Sequence, residues 1–420
     1  MDFRLFRNAL LAISVAVLPT KSLVAQQALF SAPPGKEIYI PKDLRENDFS
    51  NAESQWSYSR MAYTDDIVVF WEKPFGEDLS KAPNLEGQNM KVDMDNLLNR
   101  LQSFYDYFKN DLRFIHSGSK AEKYRMMVML NYSLEGTAYG GDYDNTIGAL
   151  WIAPNRVQDK KLNCIAHELG HSFQSQIGCD GTGESWGGGG IFEMASQWML
   201  WQVNPEWPTD ENYHWKAFIE HANLRFLDIE NIYHSPYLLE YWSTKHGVTV
   251  IGDLFRAGKR GEDPAATYMR MFDISNEDFA KEAVDCYSRL ITFDFPSKHE
   301  ANKKYANEFI NDKELQTFGA NVVKLDTKGK RKIAVKFEGA DANDGYAYRL
   351  VSTNGNAEAT YGEICTKQKG SLKMTLPNDA VNAYLVVTGY PKGEYKPYTF
   401  NPYEGESKPE QQHIYKYSIK

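Results

Sequence analysis

Apolar residues gather along this chain in two different rhythms, and the change of rhythm divides it. Ile67-Val68-Val69-Phe70-Trp71 is an unbroken apolar run, which predicts a strand buried on both faces. Met126 to Leu130 predicts a second such strand. Ile147 to Ile152 predicts a third, entered through a turn at Gly140-Gly141 and ended by Pro154. Its segment 148–152 is a candidate exposed edge. Between the first two strands, Leu97, Leu98, Leu101, Phe104, Tyr105 and Phe108 fall on one face of a helix over 94–110. Residues 158–177 read as a further helix, followed by a glycine-rich loop over 181–190. Ile191 to Val203 then gives an apolar helix stopped by Pro205. From 214 to 292 the pattern is helical, broken at Pro236, Gly247, Gly258 and Pro264.

After about residue 296 the period drops to two. Ile333, Val335 and Phe337 alternate with Lys332, Ala334 and Lys336. Leu372, Met374 and Leu376 alternate with Lys373 and Thr375. Ala383 to Val387 is an apolar run, and Tyr415, Tyr417 and Ile419 alternate at the end. Short strands at this spacing predict a β-sandwich over 315–420. The expected class is α+β: an irregular lead-in over 26–60, broken by Pro33, Pro34 and Pro41, a mixed unit over 61–296, and the C-terminal sandwich. There is no internal repeat.

Composition makes this a folded chain: 42% hydrophobic, 25% charged, net charge −9. That charge, without a long basic block, argues against nucleic acid as a partner. Residues 1–25 read as a cleavable secretory signal, with Arg4 and Arg7 before an apolar stretch from Ala9 to Leu18 and a small residue, Ala25, at the expected cut. The stretch is too short for a permanent membrane span. No cysteine follows it to carry a lipid, so a secreted or periplasmic protein is expected. An exported chain can keep disulfides. Of Cys164, Cys179, Cys286 and Cys365, the first two form the local candidate pair, and none lies in a CxxC motif.

The chemistry concentrates in His167-Glu168-Leu169-Gly170-His171. Residues four apart lie one turn above each other on a helix, so both imidazoles can converge on one ion, with Glu168 beside them to accept a proton from water. The flanks Ile165, Ala166 and Phe173 are apolar, and two buried histidines beside a buried glutamate need a partner, which a metal supplies. Catalytic zinc takes three protein ligands. No third histidine follows at metzincin spacing. Glu193, inside the apolar helix 191–203, is the expected third ligand, and Glu184 in the glycine loop is the fallback. Cys164 shares the helix face of His167 and reads as a core thiol. For a donor to the oxyanion, Tyr213, His214, Tyr233, His234 and Tyr237 fall in the right region, with Tyr233 and His234 preferred for their place in a loop before Pro236.

The order of these elements, with "IGALWIAP", "CIAHELGHSFQ" and "IFEMASQWM", resembles the gluzincin class of zincin metallopeptidases. It is most similar to a family of secreted bacterial gluzincin-like proteins that includes an avirulence protein of plant-pathogenic bacteria. The late segments "YLVVTGYP" and "HIYKYSIK" extend the resemblance over about 60–420. It implies a zincin-like catalytic domain, zinc on His167, His171 and Glu193, Glu168 as general base, and hydrolysis of a protein, peptide or glycoprotein. Two other classes remain open from the sequence: a glycan-binding or adhesion protein on a peptidase-like scaffold, and a zinc hydrolase acting on another bond.

Overall fold

The computed structural model describes residues 30–136, 138–183, 186, 189–398 and 411–419. The expected signal segment 1–25 and the fallback ligand Glu184 lie outside them. The fold is α+β, with three sheets and a run of helices between them.

The first sheet contains β1 (Met61–Tyr63), β2 (Ile67–Trp71), β3 (Met126–Leu130), β4 (Tyr139–Tyr143) and β5 (Ile147–Ile152), in the order β1-β2-β3-β5-β4. The pairs β2–β3 and β3–β5 are parallel, and β1 and β4 run antiparallel at the two ends. The central strands read as continuous apolar runs because both faces are covered. Helix α1 (Met94–Asp106) sets Leu97, Leu101 and Phe104 in one core with Ile67, Val69, Met126 and Val128. On the opposite face the lead-in inserts Phe49 and Trp56 among Val68, Phe70, Met127 and Met129. The lead-in is thus irregular in backbone but structural in role. It is held by Arg125, whose guanidinium donates to Thr64 O at 2.7 Å and Pro34 O at 2.7 Å, and by the Lys36–Asp66 ion pair at 2.5 Å.

Two sequence expectations are corrected at this sheet. β5 is an interior strand, paired on both sides, and the exposed edge is β4. Gly140 and Gly141 are strand residues of β4 and form no turn. The reversal falls instead at Asp144 and Asn145, with φ of 55° and 51°. Two consecutive positive φ values match the twist of a tight hairpin, and Asp and Asn tolerate them.

Helices follow as α2 (Asn163–Cys179), α3 (Ile191–Val203), α4 (Trp207–Asp210), α5 (Asn212–His221), α6 (Tyr237–His246), α7 (Val250–Ala257), α8 (Pro264–Phe272), α9 (Asn276–Leu290) and α10 (His299–Asn302). Gly247 and Gly258 end α6 and α7, and Pro264 opens α8 at its first position, where its missing N–H costs nothing. A capping box between Ser275 and Asp278 starts α9.

The chain closes with β6 (Ala320–Lys324), β7 (Lys332–Gly339), β8 (Asp344–Asn354), β9 (Ala359–Tyr361), β10 (Lys369–Thr375), β11 (Ala380–Pro391) and β12 (Tyr415–Ile419). They form a sheet β6-β11-β8-β9 and a sheet β10-β7-β12. The two sheets face each other across Val335, Phe337, Tyr348, Leu350, Leu385 and Val387. The outer face of β6-β11-β8 packs on α9, where Phe279, Ala283 and Val284 meet Val322, Val351, Tyr384 and Val386.

All four cysteines are free. The expected Cys164–Cys179 pair fails on geometry. Both belong to α2, fifteen residues apart at opposite ends of one helix, about 22 Å at 1.5 Å per residue.

Candidate metal centre

Helix α2 carries His167 and His171 on one face, their rings 4.8 Å apart and nearly perpendicular. Helix α3 crosses α2 closely because Gly170 leaves room. A Cβ there would lie 2.8 Å from Ser196 Oγ. This approach brings Glu193, in the first turn of α3, over the two imidazoles. His167 Nε2 and His171 Nε2 lie 3.1 Å apart, and Glu193 Oε2 is 3.2 Å and 3.1 Å from them. The side chains are 11%, 14% and 14% exposed, so water reaches the cluster only from its open side. Among the described residues these three are the one grouping of His, Cys, Asp or Glu suited to hold a metal.

The ring tautomers follow from two buried glutamines. Gln174 donates through Nε2 to Phe192 O and Ser196 Oγ, both at 3.0 Å, which turns its Oε1 toward His171 Nδ1 at 3.0 Å. Gln197 donates to Tyr233 O at 3.2 Å, which turns its Oε1 toward His167 Nδ1 at 3.3 Å. An amide oxygen accepts only, so both Nδ1 atoms carry the proton and both Nε2 atoms present lone pairs. Two lone pairs and a carboxylate oxygen then point at one spot. A tetrahedral ion with bonds of about 2.0–2.1 Å spaces its ligands about 3.3–3.4 Å apart, close to the observed triangle. The donor set therefore fits zinc.

Burial raises the Glu193 carboxyl, but the imidazoles of His167 and His171 outweigh it and hold the group well below the usual carboxylate range. Burial lowers His171, but the hydrogen bond and charge of Glu193 reverse this, leaving it above its ordinary value.

Glu168, next in the chain to His167, lies in the same cavity of about 390 Å³, lined also by Ala138, Tyr139, Gly140, Ser175, Phe192 and Tyr233. Its Oε2 accepts the Gly140 N–H at 2.8 Å, which ties the carboxylate to the edge strand β4. Gly140 is required here by contact: a Cβ would fall 1.8 Å from Glu168 O and 2.7 Å from His171 Cβ.

The two preferred oxyanion donors part company. Tyr233 lines the cavity, its ring 6.2 Å from that of His167 and tilted by 25°. His234 does not line it. Its Nδ1 lies 2.6 Å from His214 Nδ1, and burial with the charges of His214 and His221 pushes it down to about 4. His214 in turn reaches Gln197 Nε2 at 3.1 Å. His234 thus stands behind the ligand-supporting amide, the loop having turned its side chain inward. Tyr213 leans on His214, with ring centroids 4.2 Å apart and planes tilted by 36°, and Tyr237 is fully buried among Trp201, Trp215 and Phe218. Cys164 is no member of the cluster, and burial pushes its thiol up to about 11. Gln174 and Gln197 escaped the sequence reading; their positions, three residues after His171 and four after Glu193, are the signal that could have found them.

A family model described as "Family of unknown function (DUF6055)" matches residues 31–420, and the chain belongs to that family. No curated protein matches the sequence. Among solved structures the chain is similar to the ZmpB metallopeptidase from Clostridium perfringens, with 16% identity over 84% of this chain and 69% of that one and a TM-score of 0.32. It is similar also to a functionally unknown conserved protein from Bacillus anthracis, with 10% identity over 82% and 78% of the two chains and a TM-score of 0.33.

Proposed function

We propose that this member of the DUF6055 family is an exported zinc-dependent endopeptidase of zincin-like build, with His167, His171 and Glu193 as ligands and Glu168 as general base. The observation that carries the reading is the convergence of two Nε2 atoms and one carboxylate oxygen within 3.1–3.2 Å of each other. With both Nδ1 atoms committed to Gln197 and Gln174, a proton could join only one Nε2 to the carboxylate, whereas a metal ion would engage both nitrogens and the carboxylate oxygen at once.

Zinc held there supplies Lewis acidity and lowers the pKa of a coordinated water toward neutrality. The rest is the work of the chain. Glu168 faces the same cavity and can take a proton from water and return it to the leaving amine. Its Gly140 bond at 2.8 Å keeps the carboxylate from swinging away. Tyr233, which lines the cavity, is the donor proposed for the developing oxyanion. The substrate is a protein or glycoprotein segment in extended form. Its support is β4, an end strand of the sheet that, among the described residues, no other strand pairs on its outer side, and whose residues Tyr139 and Gly140 line the cavity. Such an edge accepts a peptide through backbone hydrogen bonds. The C-terminal sandwich over 315–420 accompanies the catalytic unit.

The test is cleavage of a peptide library by the wild type and by Glu168→Gln, read by mass spectrometry. The variant should keep its metal and lose about 10²–10⁴-fold in rate. Wild-type cleavage by the variant would overturn the assignment of the base. A zinc-loaded wild type that cuts no peptide would move the activity to another bond.

A further inference from the structure

The sheet β10-β7-β12 buries one face against β8 and β11 and leaves the other open to solvent. The register places ten described side chains on that open face: Lys332, Ala334, Lys336 and Glu338 on β7, Lys369, Ser371, Lys373 and Thr375 on β10, and Lys416 and Ser418 on β12. Five are lysines and one is acidic, on a chain of net charge −9. Glu338 is used up by its neighbours across the sheet, Lys369 at 2.6 Å and Lys416 at 3.2 Å. Lys332, Lys336 and Lys373 stand opposite Thr375, Ser371, Ser418 and Ala334, none of which offers a charge. The basic run Lys328-Gly329-Lys330-Arg331-Lys332 feeds into the same end of β7.

Lysines on edge strands keep sheets from pairing with other chains, which accounts for β10 and β12. It does not account for Lys332 and Lys336, because β7 is the central strand and has no free edge. Four residues apart on one strand, they stand about 13 Å from each other, and Lys373 lies between them one strand, about 4.8 Å, to the side. Around Lys336 the small residues Gly370, Ser371 and Ser418 open a shallow groove of about 570 Å³, with Phe337 and Tyr417 also in its lining.

We propose that this face binds an anionic polysaccharide, with Lys332, Lys336 and Lys373 reading its carboxylates or sulfates and the Ser371 and Ser418 hydroxyls meeting its hydroxyl groups. Charge complementarity calls for a polyanion. Among its ten described outward side chains none is aromatic, to stack nucleic-acid bases, and the one apolar residue, Ala334, is too small to enter a membrane. Its lysines alternate with hydroxyls, as charge alternates with hydroxyl along an acidic sugar chain.

The experiment measures binding of the full chain to polygalacturonate and to heparin, which separate a carboxylate from a sulfate source, with dextran, double-stranded DNA and phosphatidylserine vesicles alongside. The wild type should bind at least one acidic glycan, more weakly as salt rises, and ignore dextran. The combined variant K332Q, K336Q and K373Q should weaken this at least about tenfold, whereas K369Q with K416Q, whose lysines already pair with Glu338, should weaken it less. All substituted positions are exposed or paired at the surface, so Tm should hold, and K336Q alone should shift affinity in the same direction. Unchanged binding by the triple variant, no glycan binding by the wild type, or tighter binding to DNA or vesicles would each overturn the proposal.

Discussion

A histidine offers a lone pair to a cation only when its other ring nitrogen keeps the proton, and here Gln174 and Gln197 fix which nitrogen that is. Replacing either by leucine removes the acceptor and frees the ring. Each change should weaken zinc binding about 10–100-fold, measured by competition with a chromogenic chelator. Unaltered affinity in both variants would show that the rings need no such support. At this scale the sequence was most legible where chemistry restricts residue choice. Two histidines one helical turn apart with a glutamate between them, and a lone acid in an apolar helix, are costly without a purpose. Glutamine is not restricted in this way, and Gln174 reads as ordinary helix until its partners are seen. His234 misled because loop position says nothing of side-chain direction; only the fold shows it turned onto His214.

Among the elements, strands buried on both faces were read directly, since β2 and β3 contain no polar residue at all. β4 was not, because Tyr-Gly-Gly-Asp-Tyr carries the composition of a turn; its Gly140 serves instead to let α2 approach the sheet edge. β8 was missed for the opposite reason. Arg349, Ser352 and Thr353 interrupt its apolar pattern, yet all three are buried, Arg349 bonded to Asp285 of α9 and to Gly362 O, and Thr353 to Asn307. The lead-in is joined to the sheet by Asp66, which pairs with Lys36 at 2.5 Å, accepts from Gln102 at 3.1 Å and lies 3.6 Å from Lys109. Burial raises its carboxyl, but these partners outweigh it and hold it below its unfolded value of 3.8. A depressed folded pKa gives stability that is complete above the unfolded value and is lost as pH falls through the folded one. Asp66→Asn should therefore cost about 1–2 kcal/mol at neutral pH, with the gap to wild type in urea midpoint closing below about pH 4. A gap independent of pH would contradict this role for Asp66.

Over the whole molecule, the change of period near residue 296 locates a change of architecture but not a separation of cores. A single apolar cluster runs from α1 and α2 through α9 into Val322, Val351 and Val386 of the last sheets. Pattern reading treats segments one at a time and cannot show that one face of β6-β11-β8 is completed by a helix upstream of it. Residues 315–420 produced alone would expose Ala347, Val351, Tyr384 and Val386. That piece should aggregate or give a collapsed NMR spectrum, while a piece that begins before Asn276 and restores α9 should improve on it; a well-dispersed spectrum from 315–420 alone would contradict the shared core. The same core packs α2 against the first sheet and α3 against α2, so the fold itself brings the three donor atoms together. That claim meets its most direct test in the zinc content of purified protein by inductively coupled plasma mass spectrometry, wild type against His171→Ala. One zinc per wild-type chain and almost none in the variant is the predicted result. A wild type that takes up no zinc, or a variant that keeps a full equivalent, would contradict it.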